Sequence, residues 1–437
     1  MDRQYLVIDL KSFYASVECV ERGLDPMTAK LVVADPERTD KTICLAVSPA
    51  MKALGVKNRC RVFEIPKGID YIMASPRMQK YIDYAADIYA VYLQFIAPED
   101  IYVYSVDEAF LDVTNYLTLY GKTAKEMAVM LMDQVTRQVG VRATCGIGTN
   151  MYLAKIALDI TAKHSHDFIG ELDEESFKRT LWRHEPLTDF WRIGPGTASH
   201  LLRLGITNME RIAHADEELL YKEFGKDAEL LIDHAWGREP VTIADIKAYK
   251  PKTNSLCQGQ VLMSDYDFAD GELIIREMTD QLCLDMVRKG KVTKSLSLMV
   301  GYSKNFGPTP NINPNLPWSG FAGAMVGGTV SVDSATSSDN VWVPKMAELY
   351  RQIVDPSYKI RRVYVNANAV VDEGGEQQLS IFDRPEKRED DNRIQKTMLE
   401  IKERFGKNSI LKGMDYSEKA MTRTRNKQIG GHKAGDD

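Results

Sequence analysis

Three acids carry most of the chemistry this sequence can offer: Asp9, at the end of a short apolar run over 5–8, and the adjacent pair Asp107 and Glu108. The pair lies between two strand-like runs, 101–105 and 109–113, which read as a hairpin. If the run over 5–8 joins the same sheet, the three carboxylates meet. Such a cluster suits a divalent cation, and magnesium above all, because it prefers carboxylate oxygens, keeps several waters and is completed by substrate phosphates. Two such ions align a 3′-hydroxyl with an α-phosphate by positioning and electrostatics, with no nucleophilic side chain. A regular strand would point Asp107 and Glu108 to opposite faces, so a shared metal needs a turn or distortion at that point. The plainer alternative is an acidic pair decorating a surface turn, the usual fate of charged residues.

The elements that must position these acids follow from periodicity. Helical spacing covers 13–20, strand-like runs cover 31–34 and 43–47, a short helix 49–54 and a strand 71–74; together these make a small insertion. Helices over 81–95 and 124–139 and a strand over 143–147 complete a β-α-β-β-α-β order once the insertion is removed, which predicts a ferredoxin-like unit. Residues 153–162 are helical, and 190–213 hold two short apolar helices separated by Leu204, Gly205 and Ile206. The polar, proline-bearing stretch 237–253 suits a linker. Beyond it, strands over 256–262, 296–302, 329–332 and 360–365 with helices over 273–289 and 345–353 repeat the β-α-β-β-α-β order, with a Gly/Pro/Asn-rich loop at 305–328. After 371 the chain turns polar, with one amphipathic helix over 394–405 and a basic end that reads as disordered.

Bulk properties bound the rest. A chain of 437 residues divides into roughly three or four domains. With 44% hydrophobic and 27% charged residues, no bilayer-length apolar stretch and no signal peptide, it reads as a cytoplasmic globular protein without a membrane partner. The six cysteines lack metal-ligand spacing and are expected as free thiols. A net charge of −6 leaves any nucleic-acid contact to local basic surfaces.

The run Asp9-Leu10-Lys11-Ser12-Phe13-Tyr14-Ala15-Ser16-Val17-Glu18 resembles the first motif of Y-family translesion DNA polymerases, and Ser105-Val106-Asp107-Glu108-Ala109-Phe110 resembles their second acidic motif. The resemblance spans about 1–382 and is nearest to the bacterial UmuC-type branch of Gram-positive repair proteins. It implies an α+β multidomain chain: a ferredoxin-like palm (1–14 and 75–165), inserted fingers (15–74), a helical thumb with a helix-hairpin-helix (166–238), a linker (239–253), a little-finger DNA-binding domain (254–371), and a mostly disordered tail (372–437). It further implies two Mg²⁺ ions, replaceable by Mn²⁺, on the side chains of Asp9, Asp107 and Glu108 and the carbonyl of Leu10. Tyr14 would lie under the incoming sugar and reject a 2′-hydroxyl, with Phe13 beside it. The substrates implied are a primer-template DNA and a dNTP, joined across lesions without proofreading, by a monomer at the nucleoid.

The triphosphate grip departs from the family. Where a tyrosine and an arginine are usual, this chain has Pro49 and Lys52, and lysine supplies a point charge where arginine supplies a fork. Ser48 could add a hydrogen bond. Lys163 matches the family's triphosphate lysine with one extra residue of spacing; Lys155 is a nearby alternative, and plain surface lysines are the simpler reading. Gly194 and Gly196, in the run 193–198 before Leu201 and Leu202, resemble the thumb's phosphate-binding hairpin, in which backbone N–H groups meet a DNA phosphate. Lys289, Lys291 and Lys294 are candidate phosphate contacts or simply a solvated face. Gln378, Leu379, Ser380, Ile381 and Phe382 resemble the peptide that docks bacterial polymerases on the sliding clamp, an extended segment inserting apolar side chains into a groove. Two rivals stay open: a nucleotidyl cyclase, whose palm can share the acidic hairpin without the other motifs, and a polymerase-like scaffold without catalysis.

Overall fold

The computed structural model describes residues 3–303, 325–374 and 385–435. They fall into two units, 1–249 with 432–437, and 250–431.

In the first unit, β1 (Tyr5–Leu10) alternates its side chains between two cores. Leu6, Ile8 and Leu10 join one, Tyr5 and Val7 the other. By that period Asp9 shares a face with Tyr5 and Val7. The strand feeds α1 (Phe13–Val20) through Ser12, a left-handed residue with φ 49°. The insertion follows: β2 (Leu31–Val33), β3 (Ala46–Val47), α2 (Pro49–Ala53) and β4 (Ile72–Ala74), a small sheet in the order β3-β2-β4 over its own core of Val32, Val47 and Met51. Next come α3 (Met78–Leu93), β5 (Ile101–Val103), β6 (Glu108–Asp112), α4 (Thr114–Tyr120), α5 (Ala124–Val139), β7 (Ala143–Gly148), α6 (Met151–Ile156) and β8 (Ile169–Leu172). The sheet order is β5-β6-β1-β7-β8. Its first four strands have the ferredoxin-like arrangement that the element order predicted, and β8, unforeseen in the sequence, adds a parallel edge beside β7. Helices α3 and α5 cover one face through Tyr81, Ile88, Leu131 and Val135; α6 covers the other.

A helical bundle follows, α7 (Glu174–Leu181), α8 (Pro195–Arg203), α9 (Met209–Ala213), α10 (Glu217–Phe224) and α11 (Asp227–Ala235), packed around Phe177, Phe190 and Leu201. The linker expected at 239–253 is corrected by α12 (Ile243–Ala248). Its Thr242 and Asp245 form a capping box, and Ile243 is buried with Tyr5, Val7 and Phe110 against the palm sheet. Ile243 and Ile246, three apart in a short polar, proline-bearing stretch, make less than two helical turns and leave little periodicity to read.

The second unit runs β9 (Leu256–Tyr266), α13 (Phe268–Arg288), β10 (Lys291–Tyr302), β11 (Met325–Thr336), α14 (Asp339–Ile353) and β12 (Ile360–Asn368), again β-α-β-β-α-β, in the antiparallel order β11-β10-β12-β9. Both helices cover one face. Strand β11 begins at Met325, so the end of the glycine-rich stretch, through Gly328, is strand where a loop was expected; 304–324 lie outside the described residues.

The mostly disordered tail is corrected as well. α15 (Pro385–Phe405) seats Leu399 against Leu284 and Val287 of α13. Past it, the Glu277 carboxylate accepts the N–H groups of Met421 (2.9 Å) and Thr422 (2.9 Å), and Lys412 pairs with Asp280 and Asp339. Those polar anchors are tertiary, and a polar composition conceals them. Among the described residues, no helix is long and apolar enough to cross a membrane, and all six cysteines are free thiols.

Candidate active site

The register of β1 against β6 sets Asp9 directly opposite Glu108. Cross-strand partners share a face, so both carboxylates stand on the α6 side of the sheet. Asp107 lies just before β6, in a bend where the N–H groups of Tyr104 and Ser105 both donate to the Glu108 carbonyl (3.0 and 3.1 Å). Here is the distortion that the strand period demanded. The bend is tied to the sheet by the Leu10 N–H, which donates to the Asp107 carbonyl (2.9 Å), and the Ser105 hydroxyl donates to the Asp107 carboxylate (2.6 Å).

Helix α6 supplies the countercharge. It lies hard against β7 because Gly146 and Gly148 have no side chain: a Cβ on either would come within 2.0–2.2 Å of the Ala154 backbone. Asn150 caps the helix by accepting the Leu153 N–H (2.8 Å). Lys155 then reaches Glu108 at 2.7 Å and Asp159 at 3.1 Å, from a largely buried position. Burial works against its charge, but Asp159 and Glu108 outweigh it and raise its pKa. From sequence Lys155 is a nearby alternative for the triphosphate lysine or a plain surface lysine; the structure pairs it with Glu108. Asp159 was missed. The available signal was a lysine in a turn whose neighbours, Tyr152, Leu153, Ala154 and Ile156, are all apolar.

One amine does not neutralise this cluster. Burial first, then repulsion from Asp107 and Glu108, pushes the Asp9 carboxyl up to about 7, and burial raises Glu108 despite Lys155. Among the described residues no three His, Cys, Asp or Glu side chains are placed closely enough to hold a metal ion by themselves. The set is an open, oxygen-only one, short of positive charge, which is what a magnesium or manganese ion completed by water and phosphate requires.

Lys52 of α2 is within electrostatic reach of both Asp9 and Lys163. Burial chiefly lowers its pKa, and Lys163 adds to the effect. Between Lys155 and Lys163 the helix runs through a π-helical turn, Ala157–Thr161, of a kind that recurs at functional sites. Lys11, unnoticed in the sequence, extends 3.4 Å over the Phe168 ring and is held below its ordinary pKa by burial and then by Lys52. Ser48 is fully buried, its oxygen accepting the N–H groups of Leu31 (3.1 Å) and Met51 (3.4 Å); it caps α2. Pro49 takes the first helical position, where a missing N–H is harmless.

Phe13 is buried, while half-buried Tyr14 stacks on Tyr81 with centroids 4.4 Å apart and planes 15° apart. Burial and then Asp107 raise the Tyr14 hydroxyl's pKa. In the bundle, Gly194 caps α8 and Pro195 opens it; nothing lies within 4 Å of where a side chain on Gly194 or Gly196 would begin. Lys289, Lys291 and Lys294 belong to the second unit, with Lys291 paired to Asp372 at 2.5 Å. The peptide 378–382 lies outside the described residues.

The chain is similar to known proteins along most of its length. The impB/mucB/samB family matches residues 8–159, and the C-terminal domain of that family matches 254–381. A Bacillus subtilis protein named as a putative UV-damage repair protein, UvrX, is 29% identical over 444 residues, covering 99% of this chain and 98% of its own. DNA polymerase IV 2 of the same organism is 31% identical over 305 residues, 68% of this chain and 71% of that one. A solved Y-family DNA polymerase chimera superposes with a TM-score of 0.63 at 18% identity, over 84% of this chain and 99% of that one. The chain therefore belongs to the impB/mucB/samB family, the UmuC-type branch of the Y-family translesion DNA polymerases.

Proposed function

We propose that this chain adds deoxynucleotides to a primer 3′-end under template direction, across damaged positions, by two-metal-ion chemistry and without proofreading. The observation that carries this reading is the facing pair Asp9 and Glu108, with Asp107 in the adjoining bend and too little positive charge nearby. The side chains of these three and the Leu10 carbonyl would hold two magnesium ions. Bound there, magnesium supplies Lewis acidity, lowering the pKa of the primer hydroxyl and neutralising the leaving pyrophosphate.

The rest falls to the chain's own groups. Asp9 must give up its proton to become a ligand. Lys155 offsets part of the burial that raises the Glu108 pKa and fixes that carboxylate's orientation. Lys52 and Lys163 draw in the triphosphate, and Lys11 adds a third cation on that side, in the place of the family's arginine fork. The Tyr14 ring, backed by Tyr81, forms the wall that a 2′-hydroxyl would strike. The open backbone at Gly194 and Gly196 suits approach by a DNA phosphate without regard to sequence. The second unit holds duplex backbone, and residues 378–382 dock on a bacterial sliding clamp. The enzyme acts as a monomer in the cytoplasm.

Primer extension on a template carrying a UV photoproduct tests the reading. Magnesium-dependent extension past the lesion is expected, and absence of extension on both damaged and undamaged templates would overturn it. Deleting 378–382 should spare basal extension and remove stimulation by the clamp; intact stimulation would refute that part.

A further inference from the structure

Helix α3 starts without a side-chain cap: Arg77 precedes it and its first turn holds no acid. The exposed Gln79 N–H is met instead by a distant part of the same unit, the carbonyl of Ala434, at 2.8 Å. The residues beside Ala434 are docked too. Lys433 lies 2.7 Å from Glu37 and 3.4 Å from Asp35, in the loop after β2. Gly435 sits against Arg77 so closely that a Cβ there would lie 3.2 Å from the Arg77 side chain.

Arg77 is the first link of a chain that ends at Tyr14. Its guanidinium donates twice to the buried Glu18 carboxylate (2.9 and 3.0 Å). Glu18 also accepts the Tyr81 hydroxyl at 2.8 Å, and the Tyr81 ring carries the Tyr14 ring. Tyr81 is only the fourth residue of α3, so its position depends on the first turn being closed. A turn with orphan donors frays unless something accepts from them. The 433–435 segment supplies that acceptor and covers Arg77 as well.

We propose that residues 433–435 are a positioning segment for sugar selection: they close the first turn of α3 and hold the Arg77–Glu18–Tyr81 chain that sets the Tyr14 ring. The proposal rests on the reading of Tyr14 as the sugar gate.

Single-nucleotide insertion of a dNTP and of the matching rNTP tests it in three proteins: the intact chain, a chain stopped after Gly431, and full-length Lys433→Glu. In both variants deoxynucleotide kcat/KM should stay within about twofold, while the preference for deoxynucleotide drops roughly fivefold, the scale of one lost helix cap. Lys433→Arg should keep it. Tyr81→Phe should lose a similar amount alone and little more in the truncated chain, because both act through one path. Unchanged sugar preference in the truncated and Lys433→Glu proteins, with only a lower Tm, would overturn the proposal and leave a surface brace. Additive losses with Tyr81→Phe would overturn it too. Tyr14→Ala in the intact chain separates the two readings: if it admits ribonucleotides while truncation does not, the segment's role fails and the gate stands; if it still excludes them, the gate itself is elsewhere.

Discussion

The palm and the second unit share the element order β-α-β-β-α-β and thread it differently. In the palm, the first strand lies inside the sheet, so Asp9 has Glu108 on one side and Thr144 on the other. In the second unit the first strand, β9, is at the edge, and the inner strands β10 and β12 present a neutral network. There the Asn368 amide donates to Ser297 (2.7 Å) and Ser295 (3.2 Å), and Ser297 shares a hydrogen bond with Thr329 (2.8 Å). Carboxylates meeting on inner strands gather cations, whereas amides and hydroxyls on an open face can only exchange hydrogen bonds. Element order alone carries no chemistry; the residues it brings together do.

The largest expected contrast follows. Asp107→Asn should slow nucleotide insertion by roughly 10³-fold, the scale of losing one preorganised electrostatic group. Asn368→Ala should leave the insertion rate and primer-template affinity within about twofold and cost the second unit about 1 kcal/mol of stability for each internal hydrogen bond removed. Pre-steady-state insertion beside a DNA-binding titration checks both, and a rate collapse in Asn368→Ala would erase the distinction between the domains.

Each unit also holds a lysine between carboxylates: Lys155 with Glu108 and Asp159, Lys412 with Asp280 and Asp339. Removing one partner of a buried pair costs roughly 3–5 kcal/mol, so Lys155→Met should lower the Tm of the metal-free protein by several degrees. Lys412→Met should cost less, since that side chain is a third exposed. Magnesium should restore part of the first loss and none of the second; equal rescue would show that the palm cluster is not the metal's seat.

A third contrast is in pH. Asp9's pKa of about 7 exceeds its ordinary 3.8, so the folded, metal-free protein carries a proton that the unfolded chain lacks between those values. This contribution to stability is complete below the ordinary value and lost as pH rises through about 7. Thermal unfolding in chelator should therefore show the native chain losing stability from pH 5 to 8 relative to Asp9→Asn. Magnesium should bind more tightly at pH 8 than at pH 6 and release a proton at the lower pH. The smallest effect is expected from deleting Thr161, which takes one residue out of the π turn and leaves Lys163 facing the same way: KM for the nucleotide should change by less than about twofold.

Much of this was legible in the sequence. The bounds of α1 and α5 follow from apolar spacing, and the hairpin at 107–108 follows from two strand-like runs with acids between them. What stayed hidden depends on partners far away in the chain. Lys155 and Asp159 look like ordinary helix charges until β7 and β6 lie beneath them. The π turn is invisible because residues 151–160 are almost all apolar, so a one-residue slip of the stripe leaves no mark. Ser48 looked like a free hydroxyl, and only the fold shows it capping α2. The segment after Phe405 is too polar to suggest order, and its anchors, Glu277, Asp280 and Asp339, come from α13 and α14.

The central claim is that Asp9, Asp107 and Glu108 form the metal-dependent catalytic centre. Single-turnover primer extension by Glu108→Gln, with primer-template affinity measured on the same protein, tests it most directly. The account predicts an insertion rate lower by roughly 10³-fold with DNA binding unchanged; extension at the native rate would contradict it.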